Sequence, residues 1–508
     1  MAITNRNKRT FKDKFDKSNT MLALHYYSQL KDKISDNFIA KLITSTLLIL
    51  VTVSLAFSHT IKAATLQKHS VKALGFVQAV QQAQAADPWL TGNRHQQQAI
   101  ESLSIAANTL PDPKVSIGMA NIAADTLRFS QEPMTQFKLG VSQMFPRGDT
   151  LALMNQQLKA ESKQYPFLRQ DRKAKVALTV GMLWLDAYQM QQSIALIAEN
   201  KSLFSQLIDV AEARYSSTIG QAQQQDIIRA ELELSRIDDK LVQFTQQKNA
   251  YIGQLNQWLM KAEQGNAVAN SYQTTNTLNT MLETQLPQIN LQNKALIMAK
   301  RQYSNAELVS YFTSHPGVVA IDNKIKSVAF NKALAKQKYQ PEWGVSASYG
   351  YRGDDAANNS RADLFSVGIT FDVPLFTANR QDQQLKAAIS KTEAVKTEKQ
   401  LRLRQLLGAF SSAKGRLLQL NKRQSLYEQK LLPQFHQQAE IALNAYTNDS
   451  GDFGEIVRAR IDELDASIDH LGITVEQQKL HLELNYVFSK ANQASKFTPA
   501  TLAQQNQE

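Results

Sequence analysis

A set of landmark residues in the first half of the chain returns in the second half at a nearly constant interval. Pro88 is answered by Pro316, Pro113 by Pro341 and Pro146 by Pro374, all three at one and the same spacing. Arg214-Tyr215 with Gly220 is answered by Ala445-Tyr446 with Gly451, and Ile227-Ile228-Arg229-Ala230 by Ile456-Val457-Arg458-Ala459, at slightly longer spacings. Loop insertions and deletions account for the drift. Solenoid repeats are short, about 20–50 residues, and a period several times longer means instead one duplicated supersecondary unit. The chain must therefore fold as two related halves, each reading helix, strand, strand, long helix, helix.

Two segments per half alternate with period two. Over residues 114–121, Val115, Ile117 and Met119 alternate with Ser116, Gly118 and Ala120; over 136–145, Phe137, Leu139 and Val141 alternate with Lys138, Gly140 and Ser142. In the second half Trp343, Val345, Ala347, Tyr349 and Tyr351 (342–351) and Phe365, Val367, Ile369, Phe371 and Val373 (364–374) do the same against small or polar residues. Each strand thus has one apolar face and one small or polar face. Alternation over such lengths fits either a half-buried hairpin on a soluble domain or outer-membrane barrel strands. The aromatic residues Trp343, Tyr349, Tyr351 and Phe371 favour a membrane band. Four strands cannot close a barrel, since the smallest have about eight, and an open edge in lipid leaves backbone groups unsatisfied. Two chains would supply eight strands and three would supply twelve, so oligomerisation follows from the count.

The rest is helix. Residues 149–215 and 379–446 are rich in Ala, Leu, Gln, Lys, Arg and Glu, good helix formers. Each would be about 100 Å long if continuous, but Pro166 and Pro433 predict a kink or break in each. Helices over 221–263 and 452–491 follow them, and others, roughly 68–110 and 305–339, precede the strands. The first structural repeat spans 65–263 and the second 301–491, with a polar linker at 264–300 packed against the middle and a polar tail at 492–508. The expected fold class is mainly α, with a transmembrane β-barrel completed by several subunits and long helices that form a rod.

Charge resembles a nucleic-acid signal until it is divided. Of the formal +12, residues 1–64 carry +6, from ten Lys or Arg against four Asp. No nucleic acid is called for. Within that leader, Leu42 to Phe57 is 16 uncharged residues after Lys41 and before Ile61-Lys62-Ala63-Ala64. That is short of the 20 or so residues of a membrane helix and fits a signal-peptide core cleaved near Ala63 or Ala64; an uncleaved anchor is the alternative. Met21 is a second candidate start. The absence of cysteine removes disulfides, thiolate metal sites, cysteine catalysis and a lipidated amino-terminal Cys.

The landmarks also spell out a family. Leu110-Pro111-Asp112-Pro113, Glu132-Pro133-Met134-Thr135-Gln136, Gln143-Met144-Phe145-Pro146-Arg147-Gly148, Arg214-Tyr215 with Gly220, Val373-Pro374-Leu375-Phe376 with Arg380, and Tyr446 with Gly451 together resemble the TolC-like outer membrane efflux proteins, also called outer membrane factors. The resemblance runs from about residue 72 to residue 490. The Pro-Asp-Pro and Glu-Pro-Met-Thr-Gln features resemble most the branch serving heavy-metal resistance. The resemblance implies a homotrimer with a twelve-stranded barrel in the outer membrane of a Gram-negative bacterium and a helical tunnel in the periplasm. It also implies two protein partners, a periplasmic adaptor and an inner-membrane proton-driven pump of the resistance-nodulation-division type. Such a duct is passive, with no enzyme activity and no cofactor.

Function is expected at the two tip turns. Gly220 and Gly451 permit tight reversals, and Asp226, Asp452 and Glu455 sit at helix starts, where acids meet the helix dipole favourably. Repeated around an axis, Asp226, Asp449, Asp452 and Glu455 would form an anionic girdle that selects cations. In the resembled family, acidic residues and Tyr/Arg hydrogen bonds at these turns hold the entrance closed. Asp226 and Glu455 match those acids, Tyr215, Tyr446 and Arg214 accompany them, and Arg458 stands where the family has a further acid. Arg214, Arg229, Arg458 and Arg460 are candidate inter-subunit latches to Asp226, Asp449 or Asp462.

No pair among the eight histidines has helical metal spacing, and His315 and His436 read as solvated or packed. Met119, Met134 and Met144 read as packing rather than a soft-metal site. Three functions remain in play: an efflux duct for heavy-metal cations or small toxic compounds, a duct for type I protein secretion, and a soluble periplasmic coiled-coil adaptor or scaffold. The last predicts a single hairpin and no aromatic band.

Overall fold

The computed structural model describes residues 73–216, 224–260, 281–299, 301–448 and 450–491. The leader with its Leu42 to Phe57 run, the linker's first part and the tail lie outside the described residues.

Each half begins with a helix interrupted ahead of a proline. In the first half α1 (Phe76–Ala86) stops at Asp87, whose carboxylate accepts from Trp89 N at 3.1 Å and caps α2 (Pro88–Ala106). In the second, α7 (Asn305–Phe312) is followed by His315, whose Nδ1 accepts from Gly317 N at 3.1 Å and caps α8 (Pro316–Gln337). Proline in the first helical turn wastes no donor, and an acceptor just before it satisfies an orphan N–H. The duplicated X-Pro landmark is therefore a duplicated helix start. A capping box at Ser304 and Glu307 opens α7.

Between and after these come α3 (Thr150–Ser162), α4 (Tyr165–Ser216), α5 (Gln224–Leu259), α6 (Lys294–Met298), α9 (Gln381–Leu426), α10 (Leu432–Thr447) and α11 (Phe453–Val487). The expectation of kinks at the two prolines is met in two ways. Pro166 follows a complete break, with α3 ending at Ser162 and α4 starting at Tyr165. Pro433 instead follows one π turn, Tyr427–Leu431, in which Leu432 N bonds back five residues to Tyr427 O. Widening the turn removes the clash between the proline ring and the carbonyl four residues earlier. Helix α4 still runs for 52 residues, about 78 Å at 1.5 Å per residue.

The four strands, β1 (Lys114–Ala120), β2 (Gln136–Phe145), β3 (Trp343–Tyr351) and β4 (Leu364–Phe371), form one antiparallel sheet in sequence order. Two hairpins from distant halves meet at β2 and β3, from Phe137 opposite Tyr351 to Phe145 opposite Trp343. The outer strands β1 and β4 each have one partner. Strand β4 ends at Phe371, short of the expected residue 374. There Asp372 uses its carboxylate to accept from Glu342 N at 2.7 Å, and Pro374 has no N–H to continue a ladder.

Three apolar clusters hold the helices. The first centres on Trp184, fully buried, with Phe76 edge-on at 5.7 Å, Tyr188 stacked at 5.4 Å and its Nε1 donating to Leu74 O at 3.0 Å. The second packs Phe312, Phe410 and Phe488 with Leu406, Leu417 and Leu480. The third lies towards the tips. Residues 281–299 are tied down by amide side chains acting as substitute backbone. Gln191 Nε2 donates to Leu282 O and Gln191 Oε1 accepts from Leu282 N, each at 3.0 Å. On α11, Gln478 accepts from Ile289 N at 2.9 Å and Asn485 from Gln292 N at 2.7 Å.

Candidate functional site

The ladder register converts strand alternation into a two-faced wall. On one face the rows run Met119–Phe137–Tyr351, Ile117–Leu139–Tyr349–Phe365, Val115–Val141–Ala347–Val367, Gln143–Val345–Ile369 and Phe145–Trp343–Phe371. The middle is aliphatic and both ends are aromatic. Trp343 and Phe371 stand 5.0 Å apart at one end, and Phe129 stacks on Tyr351 at 6.2 Å at the other. All four residues expected in the membrane band, Trp343, Tyr349, Tyr351 and Phe371, lie on this face and are exposed. Phe137, Phe145 and Phe365 complete the two bands; only the pairing register shows that they join them.

The other face has the rows Lys114–Ser142–Ser346–Gly368, Ser116–Gly140–Ser348–Ser366 and Gly118–Lys138–Gly350–Leu364. A Cβ placed on Gly140 would sit 2.7 Å from Ser116 Oγ and 3.6 Å from Ser348 Cβ, so these neighbours share one crowded surface. Where β2 runs into α3, Arg147 closes the lower rim. Its guanidinium donates to Gln340 O at 2.8 Å, bonds the Asp372 carboxylate and lies 3.9 Å from Glu342. The motif that contains Arg147 gives no hint of this junction, because both carboxylates come from the other half of the chain.

At the far end, α10 and α11 meet through a short turn. Tyr446 is buried with its ring 5.5 Å from Phe453, among Ile197, Phe204, Ala439, Ile456 and Val457. Glycine at 451 is required by space: a Cβ there would meet Tyr446 N at 2.8 Å and Ala445 Cβ at 2.9 Å. Asp452 precedes α11 without capping it through its side chain, and Glu455 N bonds Asp452 O at 3.1 Å. Asp452, Glu455 and Arg458 all point to solvent. Arg229 on α5 approaches Asp452 at 3.9 Å, linking the two halves at the tip. Gly220 and Asp449 lie outside the described residues, as do the side chains of Arg214, Tyr215 and Asp226.

Arg460 is engaged within its own chain. It donates to Glu440 at 2.6 Å and Glu463 at 2.8 Å, and His436 Nδ1 lies 2.6 Å from Glu463. Position 460 lies one helical turn below Ile456 and faces α10, where Glu440 is the nearer acid. Burial alone would raise the Glu463 pKa, but the hydrogen bonds from His436 and Arg460 outweigh it and hold the carboxyl below its usual range.

Neither a protein-family model nor a curated protein matches the sequence. Solved structures do. The Campylobacter jejuni CmeC outer membrane channel matches over 84% of this chain and 89% of its own, with a TM-score of 0.62 at 13% identity. The chain has the fold of the TolC-like outer membrane channels. CusC, solved in a study of folding and transmembrane channel formation, matches over 82% of this chain and 92% of its own, with a TM-score of 0.62 at 13% identity. The Vibrio cholerae outer membrane protein VceC covers 82% and 96%, with a TM-score of 0.59 at 14% identity. The soluble-adaptor expectation of a single hairpin without aromatic bands is not met.

Proposed function

We propose that the chain is a passive outer-membrane duct for efflux, three copies of which close a twelve-stranded barrel above a periplasmic helical tunnel. The observation that carries this reading is the sheet: four strands with open edges at β1 and β4, an apolar face banded by aromatics at both ends, and a small, polar opposite face. Exposed apolar rows this extensive mark a surface that a partner or lipid covers, aromatic bands at both ends favour lipid, and strand edges in lipid must be paired. A second copy's β1 beside β4 pairs the open edges, lipid covers the apolar rows, and three copies give a barrel wider than the eight-stranded ones that side chains fill.

The tip turns then face the periplasm, where an adaptor joins the duct to an inner-membrane resistance-nodulation-division pump that supplies the energy. Asp226, Asp449, Asp452 and Glu455 form the entrance girdle, with Tyr215, Tyr446, Arg214 and Arg458 around it. Opening requires the adaptor to bind the open tips more tightly than the closed ones. Cargo is heavy-metal cations or small toxic compounds, a reading supported by the Pro-Asp-Pro and Glu-Pro-Met-Thr-Gln resemblance. The test is fractionation followed by cross-linking of the mature protein. Recovery in the outer membrane as a trimer is expected; a monomer soluble without detergent overturns the reading.

A further inference from the structure

The polar face of the sheet is not electrically neutral. Its strands hold two charged side chains, Lys114 and Lys138, both exposed, and no carboxylate. Lys138 is on β2, inside the sheet, in the row Gly118–Lys138–Gly350. Lysine on an exposed edge strand can serve simply to block unwanted pairing, but the duct reading pairs β1 with a second copy, and Lys138 lies inside the sheet. Glycine on both sides leaves the Lys138 ammonium free to project, and the second repeat has Ser366 at the corresponding place.

Three of the carboxylates beyond the strand ends are engaged by other groups, while Asp112 precedes Lys114 by two residues and Asp125, Glu132, Asp354 and Asp355 share the loops at the Lys138 end with Arg128, Arg352 and Arg361. Asp372 and Glu342 at the lower rim are engaged by Arg147. Lys138 lies opposite Gly350, eight residues along β3 from Glu342, roughly 27 Å at 3.4 Å per residue and well beyond a screening length of about 8 Å. Beyond the upper end, Asp363 accepts from Arg352 N at 2.8 Å and bonds the hydroxyl of Tyr349, a residue of the apolar face. It is held to the outer side of the wall.

We infer that Lys138 and Lys114 form a cationic collar in the barrel lumen that favours solutes bearing a carboxylate, phosphate or sulfonate over free cations. This rests on the duct reading above and narrows its cargo: in three copies two rows of three ammonium groups, four residues apart along β2, bracket the Ser116–Gly140–Ser348–Ser366 row. Small anionic or zwitterionic organic compounds are concentrated on their way out. Bare metal cations meet a repulsive stretch after the acidic entrance.

The absence of native cysteine allows a direct measurement of the potential. A single Ser348→Cys substitution places a thiol on the polar face, one same-face step from Gly350 and the Lys138 row. The rates of its modification by anionic sulfonatoethyl and cationic trimethylammonioethyl methanethiosulfonates, added outside to the full-length protein in outer membranes, report the local field without needing an open tip. The anionic-to-cationic rate ratio is expected to fall at least about fivefold when Lys114→Gln and Lys138→Gln are added, because fields of a few kT change local ion concentrations by such factors. Ala347→Cys, on the apolar face, is expected to stay unmodified in lipid. An unchanged ratio with Ser348→Cys still reactive overturns the collar alone. Modification of Ala347→Cys with Ser348→Cys unreactive overturns the orientation of the wall, and with it the duct reading.

Discussion

His315 Nδ1 lies 3.9 Å from Asp171 Oδ1, yet the imidazole is neutral and serves as a helix cap. Asp171 already accepts from Lys175 at 2.7 Å and Tyr486 Oη at 3.0 Å, with Arg402 Nη2 at 3.4 Å. Because Gly317 N donates to Nδ1, the ring proton belongs on Nε2, which is buried. Burial pushes the His315 pKa down to about 4, against the pull of the Asp171 carboxylate.

That depression ties stability to pH. Between pH 6.5 and 4 the unfolded chain binds a proton at His315 that the folded chain does not, so folding weakens as pH falls through this window. The loss approaches about 3 kcal/mol, since each tenfold difference in proton affinity between the two states is worth ~1.4 kcal/mol. His315→Asn keeps a cap acceptor without a titrating group. Urea unfolding of the variant at pH 7 and pH 4.5 is expected to show a smaller acid loss than wild type, and equal losses would rule out a buried neutral histidine.

The apolar wall predicts a depth-dependent penalty. Val367 lies in the aliphatic middle row beside Ala347 and is 66% exposed in the single chain. Val367→Arg is expected to cost about 2–4 kcal/mol if that row sits at the bilayer midplane. Ser348→Arg on the opposite face is expected to cost far less. Equilibrium unfolding from lipid vesicles compares the two, and equal penalties would contradict the assignment of faces.

The tip turn depends on the space at Gly451. A Cβ there meets the backbone nitrogen of Tyr446, which cannot swing away as a side chain end can. Gly451→Ala is expected to cost about 1–3 kcal/mol locally and to expose the turn between α10 and α11. Limited proteolysis should then cut near residues 447–453 faster than in wild type. An unchanged cleavage rate would show that the turn adjusts freely.

Much of this was legible because strand alternation, proline and glycine act locally. The Val345, Tyr349 and Tyr351 alternation marked a strand and its apolar face, and the X-Pro pairs at 88 and 316 marked helix starts. What stayed hidden depends on partners distant in sequence. Pro166 and Pro433 carry the same local signal, yet one gives a break and the other a π turn. Arg460 turned inward because Glu440 and Glu463 face it across α10 and α11, a pairing visible only once the helices are packed. The charge of Lys138 acquires meaning only from a register joining β2 to β3, strands from opposite halves of the chain.

At the tips the acids separate into structural and electrostatic roles. Arg229 and Asp452 are each about half exposed at 3.9 Å, so their attraction stabilises by at most ~1 kcal/mol. Asp452 makes no side-chain cap, and Glu455 has no ion pair among the described residues, so neither is consumed by holding α11 in place. Asp452→Ala and Glu455→Ala should therefore leave thermal stability nearly unchanged. If these carboxylates ring the entrance together with Asp226, the same substitutions, with Asp226→Ala added, are expected to reduce the preference for potassium over chloride in single-channel recordings. They should also raise the open probability if the acids hold the tips together through cations or Arg229. Unaltered preference and gating would leave the three acids as favourable charges at helix starts and nothing more.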